Sequence, residues 1–158
     1  MIMLERREIT RDHLRPLFRL KVTDAQQDQV APNEFSLAEQ AYEPASQAWG
    51  LWDGDILVGF MSMIDMSGYP HREDADDPES AYVWRLLIGK EFQGKGYGRA
   101  AIEQAAEVAQ DWGLSKLSLS FVDKEGGAGP FYEKCGFKRT GQIIDDELVM
   151  IRKLGATS

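Results

Sequence analysis

Cysteine is nearly missing from this chain: Cys135 is the only one in 158 residues. An internal disulfide framework is therefore excluded, and such usage fits a reducing compartment, so a cytoplasmic location is expected. Histidine is almost as scarce. His13 and His71 lie far apart with no cysteine at a finger-like spacing, so no metal site is expected. Long apolar runs are missing as well. None approaches the roughly 20 residues of a membrane-spanning helix, so no membrane partner is expected. The opening segment is charged by Glu5, Arg6 and Arg7, too early for a secretory leader. Basic charge is in deficit: 18 Lys and Arg against 26 Asp and Glu leave a formal charge of −8. Nucleic-acid binding needs a basic surface and is not expected. A cationic partner, drawn by the field of an acidic protein, is compatible with it.

What is present describes an ordinary folded chain, 43% hydrophobic and 28% charged. The length predicts one domain over residues 1–154, with 155–158 as a frayed tail. Residues 2–8 read as a strand. Thr10 reads as the N-cap of a helix with Leu14, Leu17, Phe18 and Lys21-Val22 on its apolar side. Ser36, with Glu39 three residues on, reads as a capping box opening a second helix that runs to Tyr42. Ala48 to Trp52 and Ile56 to Ile64 read as a hairpin around Asp53-Gly54. Residues 65–79 form a polar loop rich in carboxylates. Strands follow at 81–89 and 115–122, separated by a helix from Gly96 to Trp112 with Gly113 as its cap. A short helix over 130–135 and strands at 137–142 and 147–154 complete the order β-α-α-β-β-β-α-β-α-β-β.

The most informative run is Gln93-Gly94-Lys95-Gly96-Tyr97-Gly98-Arg99, between an apolar strand and an Ala-rich helix. A glycine turn feeding a helix N-terminus leaves several backbone N–H groups unpaired beside the positive end of the helix dipole, a site for phosphate or pyrophosphate. Glycine lets an anion approach the backbone. The run is not a Walker A loop, because Gly96 stands where Ser or Thr would hold magnesium. It is not a dinucleotide fingerprint either, because its third glycine falls one place early. A plain glycine-rich surface turn is the other reading.

The Gln-x-x-Gly-x-Gly pattern at 93–98 resembles the coenzyme A pyrophosphate loop of the GNAT family of N-acetyltransferases. Phe131-Tyr132-Glu133-Lys134-Cys135-Gly136-Phe137 resembles a second segment of that family, and the element order resembles its fold over residues 2–154. The resemblance implies an α/β (α+β) fold with a mixed, mostly antiparallel central sheet and helices on both faces. It implies acetyl-CoA as cofactor, held by Gln93, Gly94, Lys95, Gly96, Gly98 and Arg99, by the backbone of Leu86, Leu87 and Ile88 where strands splay, and by Phe131. It implies Tyr132 as the catalytic proton donor to the departing thiolate. The segment from Asn33 through Ser36-Leu37-Ala38-Glu39 to Tyr42, with Trp84-Arg85, resembles the bacterial spermine/spermidine acetyltransferase-like branch. Asn33, Ser36, Glu39, Tyr82 and Trp84 are then candidates to line the acceptor site. Gly89, where that branch often has Asp, and the long acidic loop depart from the pattern.

These readings converge on direct acetyl transfer to a primary amine of a small molecule, with polyamines preferred. A protein, peptide or antibiotic acceptor, and a non-catalytic acyl-CoA-binding module, are the alternatives. An alkylammonium of pKa about 10 must lose a proton before attack. Glu34, Glu39 and Asp65 are candidate bases, with Tyr82 as a relay. The apolar pattern is also compatible with a homodimer through the final strands or the early helices.

Overall fold

The computed structural model describes residues 2–27 and 30–155. Seven strands, β1 (Leu4–Glu8), β2 (Ser46–Asp53), β3 (Ile56–Asp65), β4 (Ser80–Ile88), β5 (Lys116–Phe121), β6 (Lys138–Ile144) and β7 (Glu147–Lys153), form one sheet in the order β1-β2-β3-β4-β5-β7-β6. Four helices accompany them: α1 (Leu14–Arg19), α2 (Asn33–Ala41), α3 (Tyr97–Asp111) and α4 (Gly129–Lys134). The sheet is mostly antiparallel. Antiparallel ladders join β1 to β2, β5 to β7 and β6 to β7, while β4 and β5 run parallel from Ser80↔Lys116 to Tyr82↔Ser118. The expected order of elements is the observed one, with short 3-10 turns added at Arg11–His13, Asp24–Gln26 and Lys90–Phe92.

The chain divides into two compact units, Met1–Met63 with Trp84–Gln104, and Ile64–Val83 with Ala105–Ser158. The first is built on Leu17, Leu51, Val58, Phe60, Met61, Met63 and Ile102, all fully buried. In the second, Leu117, Leu119 and Phe121 alternate with polar residues along β5, and Val149 and Met150 on β7 are buried too. The Ala-rich face of α3 is buried at Ala101, Ala105 and Ala109, the four-residue spacing of one helical stripe. No helix among the described residues is long and apolar enough to cross a membrane.

Several local expectations need correcting. Ser36 is not an N-cap. The helix starts three residues earlier, at Asn33, with Pro32 at the cap in extended backbone (φ −63°, ψ 152°), so the pairing of Ser36 with Glu39 lies inside the helix. Proline pre-sets a φ that a helix entrance accepts, and this outweighs the capping signal downstream. Lys21-Val22 lies beyond α1, which ends at Arg19, and Phe18 is exposed. The β2–β3 turn occupies Gly54-Asp55, one residue later than read, with Gly54 at φ +60°. Of the tail expected over 155–158, only Gly155 lies within the described residues.

Gly59 on β3 meets the backbone of β4 closely. A Cβ there would lie 2.7 Å from the Leu87 carbonyl oxygen and 2.9 Å from Ile88 Cδ1. Backbone cannot yield as a side-chain tip can. Gly59→Ala should therefore destabilise the fold by about 1–3 kcal/mol, the cost of overpacking. Equilibrium denaturation in urea checks this; an unchanged midpoint would refute the close approach.

Candidate active site

In the first unit the candidate site is the entrance to α3. Gly94 and Gly96 adopt φ of +74° and +94°, left-handed backbone that L side chains rarely take. These two turns bring the chain into α3, whose first intrahelical bond runs from Ala100 N–H to the Gly96 carbonyl, 3.1 Å. The N–H groups of Tyr97, Gly98 and Arg99 precede that bond and have no intrahelical acceptor. A Cβ built on Gly94 meets no atom within 4 Å, so the space beside its backbone is open. Lys95, between the two glycines, and Arg99, in the first turn of α3, are exposed.

Side chains brace this turn from below. Gln93 spends both amide hydrogens internally, on the Ile88 carbonyl and on Gln26 Oε1, each at 2.9 Å. Its role here is to close the base of the turn. Tyr97 donates its hydroxyl hydrogen to Asp53 Oδ2 at 2.5 Å, and this bond raises its phenol above the ordinary range. Leu87 is buried, while Leu86 and Ile88 are half-buried. Leu87 also lines a cavity of about 260 Å³ with Leu20, Lys21, Val22, Gln27, Val30 and Pro32.

The candidates for the acceptor side separate. Glu39 accepts from Arg85 Nη2 at 3.0 Å, and the same guanidinium donates to the Trp84 carbonyl at 2.9 Å and lies over the Trp84 ring. Glu39 and Trp84 are thus brought together, through an arginine that sequence reading left without a role. Asn33 and Ser36 are buried instead of lining open space. Asn33 Nδ2 donates to the Leu17 carbonyl at 2.8 Å, tying α2 to α1, while Asn33 Oδ1 and Ser36 Oγ make no hydrogen bond among the described residues. Their place on the inner side of α2 follows from the earlier helix start. Two of the candidate bases are also engaged: Glu34 pairs with Lys21 at 3.4 Å, and Asp65 accepts from Ser67 N–H and Oγ at 3.0 and 2.6 Å.

In the second unit the candidate residues sit on α4. The helix ends in a Schellman motif: Phe137 N–H donates to the Tyr132 carbonyl and Gly136 N–H to the Glu133 carbonyl, both 3.1 Å, with Gly136 at φ +94°. The motif brings the residue after the glycine back over the residue five before it. Phe137 accordingly packs edge-on to Tyr132, ring centroids 6.0 Å apart, while Phe121 and Phe131 lie against the same ring at 6.1 and 5.4 Å. The Tyr-x-x-x-Gly-Phe spacing thus has a backbone cause. Cys135 is buried.

Tyr82 contacts Ser120 Oγ at 2.5 Å, and Ser120 donates to Glu147 Oε1 at 3.2 Å. Sequence reading missed Ser120 and Glu147. Alternation along β5 marks Ser120 only as a residue off the apolar face, and nothing local announces a partner on β7.

Burial pushes the Tyr132 phenol up to about 12, and charge on Cys135, Glu147 or Tyr82 adds to the rise. A phenol is neutral below its pKa, so Tyr132 keeps its proton throughout the ordinary assay range. Between the unfolded value of about 10 and the folded one, the unfolded chain ionises first, so stability from this group is lost as pH climbs through that window. Alkaline titration of tyrosinate absorbance should show a step near pH 12 that Tyr132→Phe abolishes. Disappearance of a step near 10 instead would contradict the buried setting.

Comparison with known proteins agrees with this geometry. Residues 8–137 match the model of the acetyltransferase (GNAT) family. An uncharacterized N-acetyltransferase of Bacillus subtilis, YycN, is 27% identical over 78 residues, covering 49% of this chain and 50% of its own. A spermidine N(1)-acetyltransferase of Vibrio cholerae is 28% identical over 91 residues, covering 57% of this chain and 47% of its own. The chain thus matches about half the length of these curated relatives. A crystal structure of spermidine N-acetyltransferase from Vibrio cholerae in complex with CoA and spermine superposes with a TM-score of 0.70 at 23% identity, over 95% of each chain, a likeness of fold. Acetyl-CoA is the acetyl donor of the family that these matches identify. With a family match over most of its length, this chain belongs to the acetyltransferase (GNAT) family.

Proposed function

We propose that the protein is an N-acetyltransferase that moves an acetyl group from acetyl-CoA to a primary amine of a small molecule, with polyamines as the leading class of acceptor. The observation that carries this reading is the entrance to α3: two left-handed glycines, open space beside Gly94, and first-turn N–H groups at the positive end of a 15-residue helix. These residues fit a pyrophosphate such as that of coenzyme A. Lys95 and Arg99 would add charge to its phosphates. When bound, acetyl-CoA supplies the thioester that the amine attacks. Tyr132 would hold its proton at Oη for the sulfur as the carbon–sulfur bond breaks. Burial raises this phenol, so Tyr132 keeps its proton and can act as a hydrogen-bond donor. Donation of a hydrogen bond to the developing thiolate is then the stabilising contact.

Two features support a polyamine acceptor. Relatives carry spermidine and spermine acetyltransferase names, and the chain is acidic by eight charges.

Release of coenzyme A thiol from acetyl-CoA should be followed across spermine, spermidine, diamines, aminoglycosides, amino acids and short peptides. Saturable release with polyamines is expected. Tyr132→Phe should lower kcat about 10–100-fold with coenzyme A affinity nearly unchanged. Gly96→Val, forced into backbone that valine resists, should weaken coenzyme A binding about tenfold or more, some 1.4 kcal/mol. Tight coenzyme A binding with silence across the panel would favour the non-catalytic acyl-CoA module.

A further inference from the structure

We propose that Tyr82, Ser120 and Glu147 form a proton relay that takes the proton from the acceptor's ammonium group, with Glu147 as the final base. The inference rests on the acetyl-transfer reading above. It starts from hydrogen counting. A serine hydroxyl has one hydrogen to give. Ser120 gives it to Glu147 Oε1 at 3.2 Å, so in its 2.5 Å contact with Tyr82 it must accept, and Tyr82 must donate. The chain therefore has a direction, from phenol to hydroxyl to carboxylate. With its hydrogen committed to Ser120, the Tyr82 oxygen has only acceptor capacity to offer further groups, which is what an incoming N–H needs. Glu147 is the first residue of β7 and only half-buried, so a proton that reaches it can pass to water.

The alternatives are placed less well. Glu39 is held by Arg85 at 3.0 Å, Glu34 by Lys21 at 3.4 Å, and Asp65 is occupied by Ser67. The relay also belongs with the proposed acid. Glu147 and Tyr82 both raise the Tyr132 phenol electrostatically, so donor and relay share one electrostatic neighbourhood in the second unit.

The steps balance. The ammonium N–H bond breaks and its proton goes to Tyr82 Oη. The Tyr82 proton moves to Ser120 Oγ, and the Ser120 proton moves to the Glu147 carboxylate, which becomes neutral and later releases it to water. The freed nitrogen lone pair forms the bond to the acetyl carbon. The carbon–sulfur bond breaks, sulfur leaves with the electron pair and takes the Tyr132 proton. Tyr132 is reprotonated by the proton that nitrogen sheds as the amide forms. One proton reaches solvent for each amide made. Tyr82 touches the substrate proton and is the catalytic residue; Ser120 and Glu147 act through it.

The test compares two acceptors, spermidine and 2,2,2-trifluoroethylamine, whose amine is already neutral at neutral pH. Ser120→Ala and Glu147→Gln should each lower kcat with spermidine about tenfold or more. Ser120→Thr, which keeps the hydroxyl, should restore most of the rate. With trifluoroethylamine none of these changes should matter, whereas a merely structural role would slow both amines alike. A readout without turnover accompanies it. Glu147→Gln removes a negative charge and frees Ser120 to donate to a phenolate, so the tyrosinate step that Tyr82→Phe abolishes should move to lower pH. Equal losses with both amines, or variants as fast as wild type with spermidine, would overturn the relay while leaving acetyl transfer standing. A wild-type protein that releases no thiol with either amine would bring down both.

Discussion

Left-handed backbone at two helix ends is the constraint on which the candidate chemistry depends. Gly96 at φ +94° turns the chain into α3, and Gly136 at the same φ turns it out of α4. For any other L-residue that region costs about 1–2 kcal/mol, so glycine is what the geometry selects. At α3 the result is a helix entrance whose first-turn N–H groups have no intrahelical acceptor. At α4 the result is a Schellman closure that folds Phe137 back onto Tyr132. A single backbone device thus opens one helix with unpaired donors and closes another by packing a ring.

The two compact units hold different sets of the candidate residues. The first holds the glycine turn, its brace at Gln93, and the Glu39–Arg85–Trp84 cluster, the residues proposed for the cofactor and acceptor. The second holds Tyr132 and the hydrogen-bonded chain from Tyr82 through Ser120 to Glu147, the residues proposed to handle protons. Family membership supports acetyl transfer as the reaction.

The sequence was legible where its signals are local. Element order followed from apolar periodicity, and the glycine run and the Tyr-x-x-x-Gly-Phe spacing were readable because each acts within six residues of backbone. Ser36 was misread because two local rules compete there, and proline at the entrance outweighs a capping pair three residues on. The bracing contact of Gln93 was not readable, because sequence cannot show that Gln26, 67 residues away, takes one of its hydrogens. Glu147 was invisible for the same reason. Its link to Tyr82 needs contacts spanning 38 and 27 residues, which exist only once strands have paired.

The loop over 66–79, with the aspartate that leads into it, shows how an inventory of charge differs from a field. Asp65 caps Ser67 N–H, Asp76 caps Glu73 N–H, and Asp77 caps Glu79 N–H while pairing with Lys116 at 2.7 Å. Burial works against ionised Asp77, yet the bond from Lys116 and the Glu79 N–H together hold its carboxyl below the usual carboxylate range. Carboxylates that serve as joinery present part of their charge to their own backbone. The potential met by an approaching polycation is therefore shallower over this loop than the formal total implies, and the acidity that looks like bait in the sequence is in good part scaffolding.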